Sequence, residues 1–153
     1  MSETSSQTAT QTGIDPRGPQ FAAALTVVVL ILALLLPQPW ALVVTVIQTV
    51  LFAIGTGLGV QRTPHAWLFK KFVRPRLGAP EELEDPAPPR FAQGVGLAFV
   101  AVALVAYVLG ATLVAQIALG LALVAAVLNA VFRFCLGCEI YLLIRRLGSI
   151  PSA

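Results

Sequence analysis

Charge is what this chain has least of. Asp, Glu, Lys and Arg make up 11% of its 153 residues, against about a quarter in an ordinary soluble domain, while hydrophobic residues make up 58%. No charged residue occurs from Gly18 to Gln61 or from Phe91 to Phe132. Water cannot be the main solvent of such a chain, which is expected to be an integral membrane protein. The missing acids and bases also weigh against a proton or ion path, because intramembrane ionisable residues are what mark one. Long loops are lacking too, so one domain is expected, with no separate soluble catalytic module. The first apolar run lacks a basic leader and a small-residue cleavage site, which favours a retained helix over a signal peptide. Histidine occurs once and cysteine twice.

The charge that is present lies at the borders of apolar runs. The net charge is +3, and its location points to anionic lipid headgroups and not to nucleic acid. Residues 1–13, rich in Ser, Thr and Gln, cannot bury enough apolar surface to fold and are expected to be disordered. Four spans are predicted at about 20–36, 40–60, 91–109 and 112–132, near the roughly 20 residues that cross a bilayer. Pro37 and Pro39 end the first, and Trp40 sits at the boundary where interfacial aromatics collect. In the second, Gly55-x-x-x-Gly59 lets a neighbouring helix approach closely and is compatible with a homodimer. Ala118, Ala122, Ala126 and Ala130 form a small-residue stripe in the fourth. Gln48, Gln116 and Asn129 are expected to cross-link helices by hydrogen bonds.

Between spans two and three, Thr63 is a suitable N-cap, Pro64 a suitable first helical residue, and Arg74-Pro75 a stop. A helix over about 64–74 would place Leu68, Phe69, Phe72 and Val73 on one face and Lys70, Lys71 and Arg74 on the other, and so lie in the membrane plane. Pro80 to Pro89 reads as an extended, solvated linker. A second basic amphipathic helix is expected over about 138–147, with a short tail at 149–153. The two turns at Pro37-Gln38-Pro39 and Gly110-Ala111 carry no basic residue, so both termini and the middle loop are predicted on the cytoplasmic side of an inner membrane.

The chain also repeats itself. Asp15-Pro16 to Phe21-Ala22 matches Asp85-Pro86 to Phe91-Ala92 at a spacing of 70 residues, and Leu68-Phe69-Lys70-Lys71-Phe72 echoes Leu143-Ile144-Arg145-Arg146-Leu147. The predicted architecture is all-α: two repeated hairpins, each followed by a basic amphipathic interfacial helix, about a pseudo-twofold axis along the membrane normal. The second echo aligns Cys135 and Cys138 with Val60 and Thr63.

Cys135 and Cys138 fall where the last apolar run meets a charged tail. At a spacing of three they share one helix face, so they can close a small disulfide or share a metal. A continuous helix would turn both sulfurs towards water on the arc of Glu139, Arg145 and Arg146. If Gly137 breaks the helix, a new N-terminus near Cys138, with Arg133, would lower a thiolate pKa. A reducing cytoplasm disfavours a structural disulfide but permits a transient one, in which Cys135 attacks and Cys138 resolves while Arg133 and Glu139 tune the thiolate and its proton. A zinc or copper site is the alternative. One C-x-x-C supplies two ligands, with His65 and Glu139 the nearby residues to complete the set. The bland reading is a pair of small hydrophobes at a helix end.

Asp15-Pro16-Arg17-Gly18-Pro19, Thr63-Pro64, Asp85-Pro86 to Arg90-Phe91-Ala92, and Phe134-Cys135-Leu136-Gly137-Cys138-Glu139-Ile140-Tyr141 together resemble the bacterial membrane-protein family called domain of unknown function 4395. The resemblance covers about residues 13–147. It implies the four-span architecture and a characteristic cysteine motif, but no reaction and no cofactor. It also implies a partner, because members are often encoded near thioredoxin-like or sulfurtransferase proteins. The expectation is a thiol-disulfide oxidoreductase or sulfur-relay component with a cytoplasmic partner of that kind. The alternative is a non-enzymatic membrane protein that binds a metal or anchors a partner.

Overall fold

The computed structural model describes residues 13–148. The tails expected at 1–13 and 149–153 lie, apart from Gly13, outside the described residues. Four long helices dominate: α1 (Arg17–Leu35), α2 (Trp40–Gly57), α5 (Ala87–Val108) and α6 (Thr112–Phe132). Each is long and apolar enough to cross a membrane. Between α2 and α5 lie a 3₁₀ turn (Val60–Arg62), α3 (Pro64–Leu68), a π-helical turn (Phe69–Val73) and α4 (Arg74–Leu77). The chain ends in α7 (Leu136–Gly148). Among the described residues the only β-type pairing is an isolated antiparallel bridge between Ile14 and Glu84.

α1 packs on α2 and α6, and α5 packs on the same two helices, so the four close into a ring. Leu30, Val100, Ala103, Ala115 and Leu119 are fully buried at its centre, with Ala33, Ala41, Ala118 and Ala122 around them. Lipid tails are as apolar as leucine, so helices in a bilayer gain mainly from close packing of small residues, which this alanine-rich core provides. Gly55 and Gly96 bring α2 and α5 together: a β-carbon on Gly55 would lie 2.6 Å from Gln93, and one on Gly96 would lie 2.7 Å from the Phe52 ring. Val28, Ile47, Val105, Ile117 and Val124 point outward and are more than half exposed, a surface suited to lipid. This is an all-helical membrane protein.

Several boundaries differ from those expected, each for a local reason. α5 begins at Ala87, not near Phe91, because the Asp85 carboxylate accepts the Ala87 amide at 2.9 Å and Pro88 and Pro89 fit a first turn that needs no amide donor. The solvated linker is shorter by that much, and its Glu84 pairs with Ile14. α1 begins earlier in the same way, with Asp15 accepting the Arg17 amide at 3.0 Å. Arg74-Pro75 does not stop the helix that starts at Pro64: a π turn absorbs the interruption, the helix runs on to Leu77, and Gly78 ends it at φ 74°. α2 stops at Gly57, and Gly59 lies beyond it at φ 102°. Gly55 thus serves the α2–α5 seam within the chain, and Gly59 is no part of a helix face. Gln48 is fully buried, yet neither end of its amide finds a hydrogen-bond partner among the described residues; Gln116 lies exposed on the outside of the bundle. Among the described residues the expected cross-links through these two side chains are absent.

All ten Lys and Arg, α3, α4 and α7 lie at the end of the bundle where α1 and α5 begin. Side chains tie this end together. Gln20 of α1 donates to the Ala130 carbonyl of α6 at 2.9 Å, and Arg90 of α5 donates to the Thr56 and Gly57 carbonyls of α2 at 2.6 and 2.8 Å. Carbonyls left over at the ends of α2 and α6 are thereby satisfied.

Candidate functional site: a capping thiol

The thiol pair sits where α6 gives way to α7. α6 closes with Arg133 in the left-handed region at φ 55°, and the Phe134 amide reaches back to the Leu128 carbonyl at 3.1 Å. The chain reverses there, and Cys135 becomes the first residue of the next element. Its carbonyl accepts the Glu139 amide at 3.0 Å, and its sulfur accepts the Cys138 amide at 3.3 Å. A residue whose carbonyl and side chain both accept from the first helical turn is an N-cap. Thr63 does the same for α3, accepting from Ala66 at 3.2 Å. Cys135 and Thr63 thus share one capping role.

Gly137 does not break the helix. It lies buried inside α7, where a β-carbon would fall 2.5 Å from the Cα and Cβ of Ala92 in α5. Glycine here allows two backbones to touch. One turn on, Tyr141 packs on Phe91 with ring centroids 5.7 Å apart. The contact turns the start of α7 inward, and both cysteines are half-buried instead of facing water. Both are free thiols.

Their electrostatics are unequal. The Cys135 thiol is lowered to about 7, chiefly by the hydrogen bond it accepts from the Cys138 thiol, against burial and the Glu139 charge, with help from the amides of Cys138 and Gly137. Cys138 is pushed far above the ordinary thiol range, because it donates to Cys135 and is buried near Cys135, Glu84 and Glu139. The two titrate as a unit, with the first proton leaving Cys135.

Of the residues singled out in the sequence, Cys135, Cys138 and Glu139 are brought together. Glu139 is exposed, and its charge opposes thiolate formation at both sulfurs. Arg133 is exposed and closes α6; helix amides and the neighbouring thiol, not its charge, lower Cys135. His65 is 9% exposed in α3, which packs on α1, whereas α7 packs on α5; burial lowers its pKa. Among the described residues no three His, Cys, Asp or Glu side chains gather closely enough to hold a metal ion. Sequence reasoning missed Glu84, whose charge reaches Cys138 because two 2.9 Å hydrogen bonds to Ile14 fix that part of the linker.

The sequence matches the family model described as Domain of unknown function (DUF4395) over residues 14–146. The chain belongs to this family. No curated protein and no solved structure matches it. The DUF4395 match runs from the bridge residue Ile14 to Arg146 in α7, so the bundle and the thiol pair both fall inside the family's domain.

Proposed function

We propose that this DUF4395 protein is a membrane-held dithiol that exchanges electrons or sulfur with a soluble thioredoxin-like or sulfurtransferase partner at the cytoplasmic surface. The observation that carries the reading is the capping role of Cys135: its sulfur accepts a helix amide, its pKa lies at about 7, and Cys138 stands beside it still protonated. A thiol of that kind is substantially ionised at neutral pH and remains a good nucleophile. In the exchange, the Cys135 thiolate attacks a disulfide of the partner, forming a mixed disulfide and releasing one partner thiolate. Cys138 then loses its proton and attacks the Cys135 sulfur. The partner leaves as a dithiol with two electrons gained, and Cys135 and Cys138 become a disulfide. In the sulfur-transfer variant, the Cys135 thiolate attacks the outer sulfur of a partner persulfide, so that Cys135 carries the persulfide and the partner leaves as a thiolate; Cys138 then attacks the Cys135 sulfur, closing the Cys135–Cys138 disulfide and releasing hydrosulfide.

The cytoplasmic assignment rests on the positive-inside rule, since every basic residue lies at the thiol end of the bundle. The pseudo-twofold repeat is part of the same proposal. Support for it comes from matching hydrogen bonds: Asp15 and Asp85 each cap the helix that follows, Gln20 and Arg90 each cap a helix of the other hairpin, and Ile14 pairs with its own counterpart Glu84. An interfacial setting for α3 and α7 is supported by exposed Trp67, Phe72, Leu143 and Ile144 beside Lys71, Arg145 and Arg146. Only one half carries thiols, so one half acts as scaffold and the other as site.

Trapping tests the reaction. The Cys138→Ser variant, expressed in cells, should accumulate a mixed disulfide between Cys135 and a soluble protein, resolvable by mass spectrometry and absent in Cys135→Ser. An empty trap would count against exchange, and stoichiometric zinc or copper lost in the double serine variant would replace it with a metal role.

A further inference from the structure

A cavity of about 390 Å³ opens at the charged end of the bundle, between the start of α1 and the α3–α4 segment. The thiol chemistry makes no use of it. Its walls are of two kinds. Ala22, Phe69 and Leu83 give it an apolar side, while Lys70, Arg74 and Gln93 give it a polar one. Phe69 is 3% exposed and stacks on Phe21 at 5.8 Å between centroids, so the apolar wall is anchored in the bundle.

The charge balance of the cavity is positive. Asp15 is the acid in its wall, but Arg17 already holds that carboxylate at 2.7 Å and through its backbone amide, and the Asp15 side chain is 7% exposed. The same arginine donates to the Gly78 carbonyl at 3.0 Å, which fixes the end of α4 against the start of α1. Lys70 and Arg74 line the cavity with no carboxylate within salt-bridge distance among the described residues. Lys70 lies in the π-helical turn and Arg74 directly follows it, a local widening of a kind that recurs at functional sites. On the α7 side Gly137 lets the helix lie directly on Ala92, and the opening there, of about 540 Å³, is lined by Ala87, Phe91, Tyr141 and one basic residue, Arg90, which already donates to the Thr56 and Gly57 carbonyls.

We propose that this cavity binds the head of an anionic amphiphile: a phosphate- or sulfate-type oxyanion on Lys70 and Arg74, with the adjoining carbon chain against Phe69 and Leu83. The long apolar helices end at this level, so a phospholipid headgroup from the surrounding bilayer is one source of that chemistry, and a free phosphate is the other.

The test uses the full chain, purified in a nonionic detergent and stripped of lipid, with ligand binding followed by native mass spectrometry and calorimetry. The probes are dihexanoyl-phosphatidylglycerol, dihexanoyl-phosphatidylcholine and inorganic phosphate. The phosphatidylglycerol should bind saturably and the choline lipid far more weakly. The K70A/R74A double variant should lose about tenfold or more in affinity, since each charge-assisted hydrogen bond is worth roughly one such factor. Lys71→Ala removes one positive charge from a side chain that lies over Trp67 at 4.7 Å, outside the cavity, and should change affinity by no more than about twofold. Ala22→Leu, which narrows the cavity without touching charge, should weaken binding as well. Displacement by inorganic phosphate at similar concentration would assign the site to a free oxyanion; binding of the lipid alone would assign it to a headgroup. The proposal is overturned if neither anionic probe binds saturably, if the choline lipid binds as well as the glycerol lipid, or if K71A loses as much as K70A/R74A.

Discussion

Cys135 is a structural cap, and in the proposed exchange the same sulfur is the nucleophile. The Cys138 thiol does most to favour the charged form, and the helix amides that capping aims at the sulfur add to it, so the residue that caps α7 is also the one that ionises first. Only the thiolate alkylates, so its rate with iodoacetamide should rise with pH through a midpoint near the value of about 7 and level off above it. Cys138→Ala deletes the strongest hydrogen-bond donor to that thiolate and should move the midpoint up towards about 8.5, the ordinary thiol value. A second residue breaks an ordinary rule. Gln48 is buried with its amide unpaired, and an unsatisfied buried polar group costs about 1–3 kcal/mol. Gln48→Leu should therefore raise the thermal unfolding midpoint in detergent, and a drop would mean that the amide has a partner in the membrane. The sequence made the cysteines visible through their rarity and spacing. It could not show which one caps, because that depends on the turn Arg133 makes.

At the scale of elements, the fit of α7 on α5 decides whether the thiols face the molecule or the solvent. Gly137→Ala poses a clear competition. Alanine favours a helix over glycine by about 1 kcal/mol, but its β-carbon would meet Ala92 backbone at 2.5 Å, and overpacking of that kind costs about 1–3 kcal/mol. Backbone cannot move aside as a side-chain end can, so the clash should win. The variant should melt at a lower temperature, and Cys135 should react faster with a bulky maleimide as α7 lifts from α5. The start of α3 was legible from Thr63 and Pro64, and so was the existence of α7. Helix α5 started four residues earlier than hydropathy alone suggests, because Asp85 caps a turn that tolerates prolines. The π turn had no signal in residue type, and Gly137 read as a breaker because close approach to another helix is a tertiary fact.

For the molecule as a whole, composition carried most of the fold. Charge missing from two long stretches, prolines at one turn and small residues in a stripe were enough for four apolar helices, since a bilayer leaves a backbone few alternatives. Which helix lies beside which was not in the pattern; it follows from contacts such as Gln20 with Ala130 and Phe52 with Gly96. Nor did the sequence reveal that the middle linker returns to pair Glu84 with Ile14, bringing a carboxylate near Cys138. These placements make the thiol end a shaped surface with one activated sulfur, and the function proposed for it requires that surface to face the cytoplasm. The most direct measurement is alkylation of the native protein in intact cells at neutral pH with membrane-permeant and impermeant maleimides, read by mass spectrometry at each cysteine. The account predicts labelling of Cys135 by the permeant reagent alone, with Cys138 reacting far more slowly. Labelling by the impermeant reagent, or equal inertness of both thiols, would contradict it.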